Sequence, residues 1–210
     1  MGTGIFITLE GIEGSGKTTQ VELLKDLLTA SGFEVLLTRE PGGSPIGEKI
    51  RHILLDTANA AMEPLTELFL YEASRTQHVE EVIGPALKAG KAVLCDRFYD
   101  ASTAYQGYAR GIGAPTVADL NLVATAGKKP DLTIVLDLPV SVGLKRLGQN
   151  LDRIEGETTA FHEKVRKGYL EIAKAEPERV KVVDASGPPE EIFAKVKTIV
   201  EDLLPLKKAR

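Results

Sequence analysis

The amino-acid sequence predicts an α/β fold in which a five-stranded parallel sheet is covered by helices on both faces. Two observations lead to this fold class. Five apolar runs of strand length recur along the chain, and segments with the spacing of helical faces separate them. Strands that alternate with helices are joined by right-handed crossovers, so the strands run parallel. A chain of 210 residues is long enough to bury one sizeable core, and we expect a single domain over residues 1–210.

The first predicted strand, Ile5 to Leu9, is apolar on both faces and rich in β-branched residues, which is typical of a buried parallel strand. A helix follows it, because apolar residues repeat at spacings of three and four over positions 21–28, before a Ser-Gly pair. The other strands are predicted at residues 35–37, 92–95, 132–136 and 180–183. The other helices are predicted over residues 63–88 with possible breaks, 116–126, 140–147, 161–174 and from Pro188 to Leu203.

The composition excludes several classes of protein. With 43% apolar and 27% charged residues, the chain is neither disordered nor collagen-like. Its 26 Lys and Arg against 30 Asp and Glu give a net charge of −4 without a long run of one sign, which argues against nucleic acid or a membrane as partner. There is no apolar run of 18 residues and no basic leader, so we expect a cytoplasmic protein. The single cysteine, Cys95, is predicted to be a buried thiol.

The residues that follow the apolar runs are the candidates for function, because ligands of a parallel sheet bind at the carboxyl ends of its strands. These positions are polar at all five strand ends: Glu10-Gly11, Arg39-Glu40-Pro41-Gly42-Gly43, Asp96-Arg97, Asp137 and Asp184. We therefore predict a binding site along this edge of the sheet. The three histidines lack the spacing of metal ligands, and no chemistry is assigned to them.

A phosphate-binding loop is predicted at residues 11–18. The segment Gly11-Ile12-Glu13-Gly14-Ser15-Gly16-Lys17-Thr18 matches G-x-x-x-x-G-K-[ST] between a predicted strand and a predicted helix. Its glycines let backbone N–H groups point at phosphate oxygens, and the N-terminus of the helix adds a favourable dipole. We expect Lys17 to bridge the terminal phosphates of ATP and Thr18 to hold Mg²⁺. The predicted phosphate-binding residues are Gly11, Gly14, Ser15, Gly16, Lys17, Thr18 and Thr19.

The phosphate loop predicts nucleoside triphosphate binding but does not identify the acceptor. A GTPase is disfavoured, because there is no N-K-x-D motif and the D-x-x-G match at residues 184–187 comes too late in the chain. A motor ATPase needs further modules for which one compact domain has no room. Transfer to a small second substrate is favoured. A nucleotide-dependent binding switch without transfer activity is the alternative from another class.

At four further places the sequence resembles thymidylate kinases of the bacterial type: Glu40-Pro41-Gly42-Gly43, Asp96-Arg97-Phe98, Ala104-Tyr105-Gln106-Gly107 and Leu151-Asp152-Arg153-Ile154-Glu155. The resemblance runs from about Ile5 to Leu204. It implies a nucleoside monophosphate kinase fold of the P-loop type, transfer of the γ-phosphoryl group of ATP to dTMP with Mg²⁺, and a homodimer. A kinase for another nucleotide or nucleoside remains the alternative within the same fold.

The resemblance also implies roles for residues near the phosphates. Arg97 contacts the phosphate of dTMP, and Asp96 helps to place Mg²⁺ through water. Glu13 reaches the 3′-hydroxyl of the sugar. Pro41 is expected in the dTMP site, and Arg39 and Arg51 are weaker candidates, with a structural salt bridge as the alternative for Arg51.

For the nucleobase, the resemblance implies that the ring of Phe69 stacks on thymine and that Arg75 donates to an oxygen of the base. Tyr71 is assigned to the core. Tyr105 is expected near the 2′ carbon of the sugar, where it disfavours a ribose hydroxyl. The residues predicted to complete this part of the site are Ser102, Thr103, Tyr105 and Gln106.

The polar stretch at residues 147–158 resembles the LID of the family, a mobile segment that closes over ATP. Family members carry the cation that serves the transferred phosphoryl group either in the phosphate loop or in the LID. Residues 12–15 contain no cation, so the LID has to supply it. Arg153 is the first candidate, with Lys145 and Arg146 behind it. The expected catalytic residues are thus Lys17, Arg97, Arg153 and Glu13.

Overall fold

The computed structural model describes residues 4–208, with side chains described for residues 4–204. Five parallel strands form one sheet in the order β2-β3-β1-β4-β5, and the predicted fold class is confirmed. The strands are β1 (Ile5–Glu10), β2 (Val35–Arg39), β3 (Ala92–Asp96), β4 (Leu132–Asp137) and β5 (Val180–Asp184). The predicted extent of the domain, residues 1–210, includes positions 1–3 and 209–210, which lie outside the described residues.

The strands β1, β3 and β4 occupy the centre of the sheet, and their apolar residues are buried on both faces. This burial explains why their sequences are continuous apolar runs rather than alternating ones. Each of the five strands continues beyond its predicted apolar run to a charged residue: Glu10, Arg39, Asp96, Asp137 and Asp184. The charged strand ends therefore lie along one edge of the sheet.

Nine α-helices are described, and π-helical turns at Val79–Ile83 and Thr103–Ala109 and a 3₁₀ turn at Thr57–Asn59 join some of them. The helices are α1 (Lys17–Ala30), α2 (Pro45–Leu55), α3 (Pro64–His78), α4 (Gly84–Lys88), α5 (Tyr99–Ser102), α6 (Ala114–Ala124), α7 (Val140–Lys145), α8 (Thr159–Ala175) and α9 (Pro189–Lys208).

Helix α2 was not predicted from periodicity, although its start carries a recognisable signal. Ser44 accepts a hydrogen bond from the N–H of Gly47 at 3.1 Å, and Pro45 follows it at the first helical position. Both features are typical of a helix N-terminus. The predicted helix over residues 63–88 is present as α3 and α4 joined through the first π-helical turn.

Two groups of apolar side chains build the core. The larger one fills the space between the sheet and helices α1, α8 and α9. The smaller one lies on the other face of the sheet and includes Phe6, Val93 and Cys95. Cys95 is a free, fully buried thiol, as predicted. Within residues 4–208, no helix has the length and apolar character needed to cross a lipid bilayer.

Candidate active site

The phosphate loop connects β1 to α1, and its shape depends on glycine. Gly14 has φ +70°, and a Cβ there would lie 2.3 Å from the carbonyl oxygen of Gly143 in α7. A Cβ on Gly143 would in turn lie 2.5 Å from the carbonyl oxygen of Glu13. The loop and α7 therefore pack backbone against backbone, a contact that only glycine allows on both sides.

Lys17 opens α1, and its side chain is folded over the phosphate loop. Its Nζ donates to the carbonyl oxygens of Ile12 at 3.0 Å and Gly11 at 3.2 Å. Burial, and then the positive charge of Arg97, lower the pKa of Lys17 to about 8. The ammonium group thus lies where the phosphates of a nucleotide would enter, held by weak carbonyl contacts that phosphate oxygens can replace.

Glu13 and Arg97 form a buried ion pair at the inner end of the loop. Nη2 of Arg97 donates to Oε1 of Glu13 at 2.9 Å, and the hydroxyl of Tyr105 donates to the same oxygen at 2.6 Å. The guanidinium also lies over the ring of Tyr105, 5.1 Å from its centre. Burial alone would raise the pKa of Glu13, but the charges of Arg97 and Lys17 and its hydrogen-bond donors hold it well below its usual range. Glu13 is therefore an ionised acceptor inside the site.

A pocket beside the phosphate loop, here called the side pocket, is lined by residues that follow β1, β2 and β3, by residues of α2 and α3, and by residues of the segment 152–155. Seven of the ten residues predicted to bind dTMP line it: Glu13, Pro41, Arg75, Arg97, Ser102, Tyr105 and Gln106. Arg39, Phe69 and Thr103 do not. The carboxyl ends of β1, β2 and β3 meet here, which is why residues so far apart in the sequence converge.

Arg75 lies at the wall of the side pocket, and each of its five N–H donors has a protein acceptor. Two are carboxylates, Glu40 at 2.8 Å and Glu72 at 2.7 Å. The other acceptors are Asn121 at 3.0 Å, Ser102 at 3.0 Å and the carbonyl oxygen of Phe98 at 3.4 Å. The two carboxylates raise the pKa of Arg75 further in spite of its burial. Arg75 is held rigidly, and its longest contact is the one that a ligand oxygen could replace most easily.

The structure does not place Phe69 in the side pocket, and the aromatic residue of α3 that lines the pocket is Tyr71. Phe69 is 53% exposed on the outer surface of the helix. The physical reason is helical phase, because residues four apart share a face and residues six apart do not. Tyr71 precedes Arg75 by four positions, and this spacing is the signal in the sequence that would have identified it. The assignment of Tyr71 to the core was therefore wrong.

Of the two weaker arginine candidates, Arg39 forms a salt bridge outside the side pocket and Arg51 lines the pocket. Arg39 is 54% exposed in its side chain and pairs with Glu48 at 3.0 Å, outside the side pocket. Arg51 lines the side pocket and donates to the carbonyl oxygen of Pro41 at 2.9 Å. Within residues 4–204 it forms no ion pair, so its charge is available to a ligand. Thr103 turns away from the pocket and donates to the carbonyl oxygen of Tyr99 at 3.3 Å.

The structure does not bring Arg153 to the phosphate loop. Its guanidinium is buried, with Nη1 donating to Glu67 at 2.7 Å and Nε donating to the carbonyl oxygen of Leu54 at 2.8 Å. Glu67 is fully buried in α3 and also receives Arg110 at 3.0 Å and Gln106 at 2.7 Å. A buried carboxylate has to be compensated by cations, and that requirement draws Arg153 toward α2 and α3.

Arg146 is the LID-side cation that reaches the phosphate loop. It follows α7, and its Nη1 donates to the carbonyl oxygen of Gly14 at 3.1 Å. The side chain is otherwise exposed. Lys145 is exposed as well. Of the three cations considered from the sequence, Arg146 is thus the one with a direct hydrogen bond to the phosphate loop.

One histidine that sequence reasoning left without a role lies at the centre of the site. His162 in α8 is fully buried, and its Nδ1 lies 3.2 Å from Oε2 of Glu13. The pair is close enough for an ion pair but is not aligned for a hydrogen bond. Its position on a helix far along the chain leaves no local signal in a single sequence.

The oxygen atoms near the loop fit a magnesium ion. Thr18 is exposed in the first turn of α1, and Asp96 ends β3 without an ion pair among the described side chains. The charge of Asp96 partly counteracts the fall in the pKa of Lys17 that burial causes. Among the residues that the structure describes, no group of three or more His, Cys, Asp or Glu is arranged around a metal. A magnesium ion at this site would therefore take most of its ligands from water and phosphate.

The ionisation of Glu10, at the end of β1, gives the fold a testable pH dependence. Burial, and then the charge of Asp100, raise the pKa of Glu10 from 4.5 to about 8. The folded protein thus binds more protons than the unfolded chain between these two pH values. The contribution of Glu10 to the free energy of unfolding is complete below pH 4.5 and is lost as the pH rises through 8.

We expect the wild-type protein to lose a few kcal/mol of stability between about pH 5 and about pH 8.5 that the variant Glu10→Gln does not lose. Urea unfolding of both proteins at both pH values measures this difference. The other ionisable groups are common to the two proteins, so their contributions cancel. Parallel pH profiles for the two proteins would show that Glu10 titrates like a surface carboxylate.

Three comparisons with known proteins found similar chains over most of this sequence. A family model described as "Thymidylate kinase" matches residues 9–196. The chain is 55% identical over 206 residues to the thymidylate kinase of Geotalea daltonii, a match that covers 94% of this chain and 96% of the relative. It is 56% identical over 191 residues to the thymidylate kinase of Geotalea uraniireducens, with coverage of 87% and 90%.

Among solved structures, the chain resembles the crystal structure of thymidylate kinase from Ehrlichia chaffeensis with a TM-score of 0.77. The two sequences are 34% identical, and the match covers 95% of this chain and 99% of the other. The structural match therefore extends over nearly the whole chain.

Proposed function

The chain belongs to the thymidylate kinase family, and on this basis we propose how its residues transfer the γ-phosphoryl group of ATP to dTMP. A phosphate oxygen of dTMP forms a bond to the γ-phosphorus, the bond from that phosphorus to ADP breaks, and dTDP is released for dTTP synthesis. The observation that carries the proposal is the junction of the phosphate loop and the side pocket. Nη1 of Arg97 donates to the carbonyl oxygen of Gly11 at 2.8 Å, so the two binding sites share a wall.

The phosphate loop binds the donor. Backbone N–H groups of residues 11–19 and the N-terminus of α1 face the phosphates of ATP, and Lys17 exchanges its carbonyl contacts for phosphate oxygens. Mg²⁺ is part of the proposal: Thr18 would hold it directly and Asp96 through water, and it supplies charge neutralisation between the two nucleotides. These groups align the donor and reduce the repulsion between the anionic substrates.

The side pocket binds the acceptor. Arg97 and Arg51 offer positive charge to the phosphate of dTMP. Glu13 is an ionised acceptor for the 3′-hydroxyl, and Tyr105, which donates to Glu13, limits the space beside the sugar. The base lies against Tyr71, and one of its oxygens accepts a hydrogen bond from Arg75 in place of the carbonyl oxygen of Phe98.

We expect the variant Tyr71→Leu to raise the KM for dTMP by about 10- to 100-fold, because a base loses its stacking partner. The matched variant Phe69→Leu removes an aromatic ring from the same helix and should change this KM by less than about two-fold. Steady-state kinetics with dTMP varied at saturating ATP measure both values. If only Phe69→Leu raises the KM, the base binds on the other side of α3 and the assignment of Tyr71 fails.

The cation that serves the transferred phosphoryl group is Arg146 in this proposal. We expect Arg146→Ala to lower kcat by about 10²- to 10³-fold with little change in the KM for dTMP or in the melting temperature, since the cation acts in the transition state. Arg153→Ala should instead lower the melting temperature, because one partner of the buried Glu67 is lost. If Arg153→Ala lowers kcat without a change in melting temperature, Arg153 is the cation that serves the transferred phosphoryl group, as assigned from the sequence.

A homodimer and a cytoplasmic location complete the proposal. Exposed apolar side chains lie on three helices, α2, α3 and α6, of which α3 contacts the other two. They are Ile46, Ile53, Leu65, Phe69, Leu122 and Val123. A second copy of the chain would cover this surface. Light scattering coupled to size exclusion tests the dimer, and Phe69→Glu should then yield monomers. The free, buried Cys95 is compatible with the reducing cytoplasm.

The acceptor is tested by measuring ADP release from ATP with dTMP, dUMP, dCMP, dGMP and AMP. We expect dTMP to give the highest kcat/KM. A preference for another monophosphate would favour the kinase for a different nucleotide. Binding of ATP without turnover by any acceptor would favour the binding switch.

A further inference from the structure

Glu10 is a buried acid that neither the phosphate-loop motif nor the proposed reaction uses. It ends β1, directly before the loop, and is fully buried. Both carboxyl oxygens have partners: Oε1 accepts from the backbone N–H of Phe98 at 2.7 Å, and Oε2 accepts from the hydroxyl of Tyr169 at 2.7 Å. Both partners are next to Arg97: Phe98 follows it in the chain, and Tyr169 contacts its side chain.

The backbone at Arg97 is held in an unfavourable conformation. Its φ is +67°, in the left-handed region that side chains other than glycine rarely adopt. Arg97 donates its N–H to the carbonyl oxygen of Leu9 at 3.0 Å, and its own carbonyl oxygen accepts from the thiol of Cys95 at 3.0 Å. The contact of Glu10 with the N–H of Phe98 fixes the next peptide. The N–H groups of both Arg97 and Phe98 are thus hydrogen-bonded to residues of β1.

The side chain of Arg97 is connected to Glu10 by a second route. The hydroxyl of Tyr169 donates to Glu10 and accepts from Nη1 of Arg97 at 3.1 Å. Tyr169 is itself only 1% exposed, so the hydroxyl has little freedom to move. Glu10 therefore restrains both the backbone and the guanidinium of Arg97.

We propose that Glu10 is a positioning residue that acts through Arg97, with Tyr169 as the relay between them. Its effect falls on the acceptor phosphate and not on ATP, because Arg97 faces the side pocket. The inference rests on the proposed role of Arg97 in binding dTMP. Strained backbone at a functional residue persists only where surrounding contacts enforce it, and here Glu10 supplies one of those contacts.

Two variants test the proposal without removing Arg97. Tyr169→Phe deletes only the relaying hydroxyl, and Glu10→Met replaces the acid by an unbranched side chain that accepts no comparable hydrogen bond. We expect Tyr169→Phe to lower kcat/KM for dTMP by about 5- to 20-fold and Glu10→Met by about 10- to 100-fold. The Kd for ATP, measured by titration calorimetry, should stay within about two-fold for both. Glu10→Gln keeps one acceptor oxygen for the N–H of Phe98 but offers Tyr169 an amide donor in place of an acceptor, so its activity should fall between those of wild type and Glu10→Met.

The decisive measurement is a double-mutant cycle with Arg97→Ala. If Glu10 and Tyr169 act through Arg97, Tyr169→Phe does not lower kcat/KM for dTMP any further in the Arg97→Ala background. The same factor in both backgrounds would overturn the proposal, as would an equal weakening of ATP and dTMP binding. Tyr169→Phe keeps the test valid if Glu10→Met does not fold. If Arg97→Ala itself leaves dTMP kinetics unchanged, the proposed function of Arg97 fails instead, and the two failures are distinguishable.

Discussion

Replacing Lys17 by Met is expected to lower kcat for phosphoryl transfer by about 10³- to 10⁵-fold. Lys17 is the only cation of the phosphate loop, and its Nζ already lies against the loop carbonyls of Gly11 and Ile12. Met has a similar length and preserves the packing of the buried stem, but it leaves the developing charge on the phosphates uncompensated. The protein should fold normally, since the native ammonium group gains only weak carbonyl contacts.

The control for this variant is Lys25→Met on the same helix. Lys25 is exposed and pairs weakly with Glu22 at 3.5 Å, so its loss should leave kcat within about two-fold of wild type. Initial rates at saturating ATP and dTMP, together with melting temperatures, measure both variants. Should Lys17→Met keep more than about a tenth of the wild-type kcat, the loop would not act on the transferring phosphate in the way proposed.

Replacing Arg97 by Ala is expected to lower kcat/KM for dTMP by about 10³-fold or more, with a much smaller effect on the KM for ATP. The guanidinium is the cation where the phosphate loop and the side pocket meet, and it is bonded to Gly11, Glu13 and Tyr169. Its removal takes a fixed positive charge from the phosphate of dTMP. It also leaves Glu13 without its ion-pair partner, which adds repulsion toward the anionic substrate.

Arg39→Ala is the matched control, because Arg39 is an exposed arginine at the end of the neighbouring strand. It should change kcat/KM for dTMP by less than about three-fold. Arg97→Lys keeps the charge but loses the planar fork, and should recover only part of the activity. Similar losses in Arg39→Ala and Arg97→Ala would mean that the arginines act through general charge rather than through position.

The features that follow from neighbouring residues were predictable from the sequence. The strands are continuous apolar runs because they are buried on both faces, and the phosphate loop is a contiguous motif whose context is a strand and a helix. That Glu13, Arg97 and Tyr105 share one site was implied by the family resemblance, and only Arg97 was also placed there by the rule that strand ends converge. Their partners Tyr169 and His162 were not predicted, because these lie on α8, and no local pattern indicates which face of that helix meets the loop.

The positions of Phe69 and Arg153 differ from prediction for two distinct reasons. For Phe69 the sequence did contain the answer, because residues three or four positions from Arg75 share its helical face and a residue six positions away does not. For Arg153 it did not. The arginine is held by Glu67, a carboxylate 86 positions away, and the burial of that carboxylate is a property of the folded chain.

If residues 147–158 close over ATP as the family resemblance implies, the buried Glu67 bears on how that movement is reversed. Two guanidinium groups share this carboxylate, and only that of Arg153 belongs to the LID. Were this segment to lift, Arg110 would remain bonded to Glu67 but would lose its second partner, Glu157 of the same segment. With Arg110 and Gln106 still donating to Glu67, the departure of Arg153 would leave this buried carboxylate partly rather than wholly unpaired.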